Sequence, residues 1–307
     1  MLLFATSDKG GTGRSVTSSN VVYRRALQGG DVCYVDFDFG SPTSGAIFGI
    51  SALSRGTKTG SGTHSYLQGR SHSEEEVWDV WQHSDRNSLR QRPPGTGRLA
   101  LVPGDSGGGE FSFDDDTVKR CIDLFLRLHS EFEVVLVDLS AGRSYAAEMV
   151  IAATSTPELS GVLTRWLVFH RWTRQHVMAA HGLVYGERGL LDIGETHGQK
   201  REKFIENIRF VRTALVDPNT PDLKGLRPPQ LAWLREANRD LQRMASDLAV
   251  GRSAVLGEVP LDPVLQWREQ LITDSDVWAR HVANQPTVEA FEAIAKSMVD
   301  PQAWERL

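Results

Sequence analysis

An α/β fold built on a doubly wound, mostly parallel sheet is predicted by three features of this sequence. Short apolar runs alternate with longer amphipathic segments, as when strands are buried on both faces by the helices between them. The first run, Leu2–Thr6, leads into a glycine-rich loop and then a helical segment at 16–28. Two later runs, 32–36 and 134–138, each close on an aspartate, at the strand end where parallel sheets meet their ligands.

The remaining elements follow in order. Residues 51–75 are rich in Gly, Ser and Thr and read as loop, 74–83 as a short amphipathic helix, and Pro93-Pro94-Gly95 as a break. A strand at 99–103 is followed by the glycines of 107–109. The segment 115–130 is helical, its acidic first turn matching the positive end of the helix dipole. Helix 143–153, strand 161–169 and helix 173–185 continue the alternation, whereas 186–203 is polar and poorly periodic. Strand 208–216, a long helix 228–248 opened by two prolines, strand 254–259 and helix 287–299 complete the chain. Without a repeat or a clean linker, one domain over 1–307 is expected, with insertions near 51–97 and 186–253.

Composition narrows the functional class. The 307 residues are 40% hydrophobic and 24% charged, as in ordinary globular chains. A formal net charge of −5 argues against a general polyanion-binding surface. Cys33 and Cys121 lie in apolar runs and read as buried small hydrophobes of a reducing compartment. The nine histidines have no metal-ligand spacing. No run approaches the roughly 18–20 apolar residues that span a bilayer, and the start is too short for a signal peptide. A cytoplasmic protein is expected.

The loop reads Ser7-Asp8-Lys9-Gly10-Gly11-Thr12-Gly13-Arg14-Ser15, followed by Val16. Glycines between a strand and a helix let successive backbone N–H groups converge on one point. With the positive helix end, such a nest holds phosphate oxygens. A hydroxyl at the position of Ser15 can ligand Mg²⁺. Asp36, Asp38 and Asp138 stand at strand ends beside this loop, where carboxylates position water or hold a metal's water shell, or else cap turns.

These residues resemble the deviant Walker A motif of the ParA/MinD family of ATPases, Lys-Gly-Gly-x-Gly-Lys-Ser/Thr. Tyr34-Val35-Asp36-Phe37-Asp38-Phe39-Gly40 is similar to the family's Asp-x-Asp switch, closest to the MinD form, and Asp138-Leu139-Ser140-Ala141-Gly142 to its Walker B and second switch. The resemblance implies a P-loop fold binding ATP or ADP with Mg²⁺ through Lys9, Gly10, Gly11, Thr12, Gly13, Arg14, Ser15 and Val16. It implies metal contacts at Ser15, Asp36 and Asp138, a water-positioning Asp38, and a Gly142 N–H near the γ-phosphate. Lys9 takes the place of the lysine that reaches a partner subunit's phosphates, which implies a nucleotide-dependent homodimer acting on a further protein. Arg14 stands where the family has its second lysine, a swap that is not conservative in a tight cradle. Val255-Leu256-Gly257-Glu258-Val259-Pro260-Leu261-Asp262 is similar to the final strand and proline turn, which makes Pro260 and Asp262 candidates beside the base; an edge turn is the plainer reading.

Two functions fit this pattern. One is a slowly hydrolysing Mg-ATP switch with a positioning, partitioning or regulatory role, with Asp38, Lys9 and Arg14 in the catalytic machinery. The other is a non-hydrolysing, nucleotide-bound scaffold, which Arg14 and the 186–253 segment favour. Arg165, Arg171 and Arg174 form a candidate basic patch for DNA, and Trp233, Trp267, Trp278 and Trp304 read as packing anchors. The chain's end, 299–307, is short and broken by Pro301, unlike a membrane-binding amphipathic helix.

Overall fold

The structure, a computed structural model, describes residues 1–71, 76–218 and 225–305. Its strands are β1 (Leu2–Thr6), β2 (Val32–Phe37), β3 (Trp78–Asp79), β4 (Leu99–Val102), β5 (Val134–Leu139), β6 (Thr164–Arg171), β7 (Ile208–Leu215) and β8 (Val255–Pro260). They form one sheet in the order β3-β4-β2-β5-β1-β6-β7-β8. All pairings are parallel except β3 with β4. β1 therefore lies inside the sheet, between β5 and β6, and the loop after it opens at the carboxyl edge.

The sheet separates two apolar layers, and β1 serves both. Leu2 and Phe4 face one, with Phe125 and Trp166; Leu3 and Ala5 face the other, with Val21, Val22 and Phe291. This is the period-2 alternation of a strand covered on both sides. Helices Asp115–Glu131, Tyr145–Thr154 and Arg174–Tyr185 contribute to the first layer; Arg14–Leu27 and Gln285–Ser297 contribute to the second. The Phe4 ring lies 5.7 Å from that of Phe125 and 4.9 Å from that of Trp166. Both cysteines are free and buried.

The C-terminal segment is fastened across the first helix by polar groups. Asn20 donates to the Gln270 carbonyl (3.0 Å) and accepts from the Ile272 amide (2.7 Å). Buried Arg24 donates to the Ile272 carbonyl and pairs with Asp274 and Glu292.

Several expectations are corrected. The helix expected over 74–83 begins outside the described residues; Trp78–Asp79 is instead an antiparallel edge strand, followed by a single turn, Val80–His83, capped by Asp79. The polar stretch 186–203 contains the helix Leu190–Thr196 and the start of another, Arg201–Glu206, and Leu190, Leu191 and Phe204 are buried. Of the four tryptophans expected to anchor the core, only Trp304 is buried; Trp233, Trp267 and Trp278 are 68%, 91% and 57% exposed. Arg165 belongs to no basic surface patch. It is buried near the start of β6, donates to the Met298 carbonyl, and lies 4.4 Å from the Trp304 ring, while Arg171, at the other end of that strand, is half-buried and Arg174 is exposed. No described helix is long and apolar enough to cross a membrane.

Phe4→Ala should cost roughly 3–5 kcal/mol, as truncation of a close-packed aromatic does. Trp267→Ala should stay within about 0.5 kcal/mol, because that ring is almost wholly solvated. Urea unfolding midpoints check both, and a large loss for Trp267→Ala would contradict the exposed placement.

Candidate functional site

The glycine loop leaves β1 at Thr6 and enters the helix Arg14–Leu27. Gly11 and Gly13 have φ of +72° and +75°, the left-handed region that glycine occupies without Cβ strain. A Cβ built on Gly10 or Gly11 would meet no atom within 4 Å, so this side of the loop faces open space. Two adjoining cavities share Gly11, Thr12, Gly13, Val16 and Glu269. One, of about 280 Å³, is lined also by Ser7, Gly10, Arg14, Ser15 and Asp38; the other, of about 160 Å³, by Thr213, Ala214, Pro260, Leu265 and Gln266. The loop's back is tied to β7 by the Thr213 hydroxyl, which donates to the Thr12 carbonyl at 2.5 Å.

Beside the loop, the register of β2 and β5 places Asp36 directly opposite Asp138. Both are buried, and Asp38 lies just beyond the end of β2. Three carboxylates so close would repel one another in a poorly solvated site. The compensating cation is Arg14. Its Nε donates to Asp138 Oδ1 at 2.6 Å, and its Nη2 donates to Asp38 Oδ2 at 2.9 Å and to the Ser15 hydroxyl at 3.3 Å. The Arg14 side chain is only 6% exposed. The sequence placed Arg14 among the phosphate-binding groups; its guanidinium instead turns to the carboxylates while still lining the larger cavity.

The other oxygen of Asp138 and both oxygens of Asp36 are also engaged. Tyr34 donates its hydroxyl to Asp138 Oδ2 at 2.6 Å. Asp36 accepts from the Asp38 amide (3.1 Å) and the Ser44 amide (3.2 Å). Burial lowers the Arg14 pKa, but attraction to Asp138 and Asp38 more than offsets this and raises it above that of a free guanidinium. Burial pushes Asp36 up to about 7, against the Ser44 hydrogen bonds, with repulsion from Asp138 and Asp38 adding to the rise. Asp38 is raised by burial, and Arg14 opposes the shift.

The remaining expected residues are dispersed around this centre. Lys9 is exposed; its carbonyl accepts from the Ser7 hydroxyl at 3.0 Å, and its ammonium makes no hydrogen bond or ion pair among the described residues. Its neighbour Asp8 pairs with Arg143 at 3.2 Å. Gly142 has φ +81° and donates its N–H to the Ser7 carbonyl at 2.7 Å, so that donor is engaged by the loop itself. Pro260 and Asp262 both line the smaller cavity. The Asp262 carboxylate is a structural staple: it accepts from the Val264 and Asn284 amides and from the Thr287 hydroxyl. Sequence reasoning missed Tyr34. It lies two residues before Asp36 and so on the same face of β2, which was the available signal.

The residues expected to hold Mg²⁺ do not fit a metal as they stand. Ser15 and Asp138 both accept from Arg14, and each Asp36 oxygen already accepts from a backbone amide. Among the described residues no group of three or more His, Cys, Asp or Glu is arranged to hold a metal ion.

No family model matches the chain, and no curated protein matches it by sequence. Its fold does match solved structures over nearly the whole length. MinD from Aquifex aeolicus, solved in a MinC:MinD complex, is 14% identical with a TM-score of 0.61, covering 97% of this chain and 95% of that one. MinD from Pyrococcus horikoshii, solved with Mg-ADP, is 16% identical with a TM-score of 0.54, covering 99% and 98%. A ParA-family ATPase from Chlorobium tepidum is 13% identical with a TM-score of 0.52, covering 96% and 98%. The chain is thus built on the fold of the MinD and ParA ATPases.

Tyr34→Phe should destabilise the protein by about 1.5–3 kcal/mol, since it removes a buried hydrogen bond to a charged acceptor. Chemical denaturation checks this. A loss below about 0.5 kcal/mol would mean that the hydroxyl is not holding Asp138.

Proposed function

We propose that this chain is a nucleotide-binding protein of the ParA/MinD kind, which takes ATP or ADP across the loop 7–16. The observation that carries the proposal is the loop itself. Left-handed Gly11 and Gly13 open the backbone toward solvent at the start of a 14-residue helix, beside paired cavities at the carboxyl edge of the sheet. This arrangement suits polyphosphate in the larger cavity and a base in the smaller, against Pro260, Leu265 and Val16. The solved relatives with this fold include one carrying Mg-ADP.

Exposed Lys9 supports a further part of the reading. With no ammonium partner among the described residues, it is placed to meet the phosphates of a second copy, so ATP would tighten a two-fold dimer. Such a dimer could present a composite surface to another protein. Of the two readings of the sequence, the ion pairs of Arg14 favour the non-hydrolysing scaffold over the slow ATPase. Asp38, the candidate for orienting a water, is held by a guanidinium that also grips Asp138.

Gly10→Asp tests the site cleanly, because the new Cβ meets nothing within 4 Å and folding should be spared. A carboxylate in the phosphate cradle should weaken a fluorescent ATP analogue by about tenfold or more. Unchanged affinity would remove the loop from the binding site. Lys9→Ala should bind the analogue as wild type does but lose the shift to dimer on adding ATP, read by sedimentation. A dimer equally strong in Lys9→Ala and without nucleotide would overturn the gated assembly.

A further inference from the structure

We infer that Arg14 is a built-in counter-ion that takes the place of a divalent metal, so that this chain binds its nucleotide without magnesium. The inference rests on the nucleotide reading above and concerns the regulation of the same site.

One guanidinium gathers two of the three groups expected around a metal, Ser15 and Asp138, together with the water-positioning candidate Asp38. A serine hydroxyl at the start of the helix, a carboxylate after β2 and a carboxylate in β5 all accept from it, at 3.3, 2.9 and 2.6 Å. A divalent ion would have to displace a cation that is itself buried and doubly paired. Carboxylates already paired to a fixed positive charge attract a second cation weakly, and a like charge beside them repels it.

Arginine suits this seat where lysine does not. Its planar fork presents Nε and Nη2 along one edge, so one side chain can bridge two separate carboxylates. A lysine ammonium is a single point and would favour one oxygen cluster over the other. Moreover, the guanidinium stays protonated under any physiological condition. Nη1 makes no hydrogen bond among the described residues, and Arg14 lines the larger cavity beside Gly10, Gly13 and Ser15. That nitrogen is the donor left for a phosphate oxygen. The side chain then joins the carboxylates on one side to the phosphates on the other, which is the electrostatic task of a bridging ion.

The test uses the full chain and a fluorescent ATP analogue, titrated in excess magnesium and again in excess EDTA. Wild-type affinities should agree within about twofold, whereas Arg14→Lys, which vacates the bridging position, should bind about tenfold more tightly with magnesium than without. Manganese resonance provides a readout that does not depend on turnover: with ADP present, wild type should immobilise no more Mn²⁺ than ADP alone, and Arg14→Lys should hold one ion. Should Arg14→Lys fail to fold, judged by circular dichroism, the two wild-type measurements decide. Wild-type affinity that falls tenfold in EDTA, or an ion held at the wild-type site, overturns the role of Arg14 and leaves nucleotide binding intact. No binding in either buffer overturns the nucleotide reading on which the inference rests.

Discussion

Three carboxylates at the carboxyl edge of one sheet need a positive charge among them, and much of the site's geometry follows from how that need is met. Asp36 and Asp138 face each other across β2 and β5 because the strands are parallel and in register. Removing a lone buried charge from its partner costs about 3–5 kcal/mol, so the cluster and Arg14 stand or fall together. Tyr34 and the Ser44 amide reach two oxygens that the guanidinium does not, Asp138 Oδ2 and Asp36 Oδ2. The outcome is a site in which two of the three carboxylates are paired with a cation from within the chain.

That balance gives the loop an unusual division of labour. The backbone glycines face outward and remain available, while the loop's last cation faces inward. Lys9 is left as the loop's solvent-facing cation, at its opposite end. Gly142 and Ser7, joined through backbone, keep the segment after β5 against the loop from the other side. The site is therefore already assembled around its own electrostatics.

Most of the fold was legible because hydrophobic periodicity and strand-end chemistry are local signals. The strand at Leu2–Thr6, the loop and helix after it, and the aspartate-ended strands were all readable from spacing alone, and the solved relatives share the fold they predict. Orientation was not readable. Nothing in Lys9-Gly10-Gly11-Thr12-Gly13-Arg14 says which way an arginine turns; that depends on carboxylates 24 and 124 residues away. β3 escaped notice because two residues have no period, and they become strand only by pairing with β4. The tryptophans misled for a related reason. A large apolar ring favours burial on average, but Trp233 lies on a helix with Ala245 alone buried and Trp267 on one with no buried residue. Arg165 shows the converse: a charged residue buried near the start of a strand, accommodated by a carbonyl and the face of Trp304.

The Asn20 carboxamide has a mechanical consequence. Its nitrogen donates to the carbonyl of residue 270 and its oxygen accepts from the amide of residue 272, the reciprocal pattern that one strand offers another. A side chain in mid-helix thus behaves as a one-residue strand, and residues 270–272 dock on the helix as they would on a sheet edge. Glu269, immediately before them, lines both cavities, while the same helix begins at the glycine loop. Floor and side wall of the cleft are therefore tied to one helix through a single carboxamide, so a displacement of that helix pulls on both together.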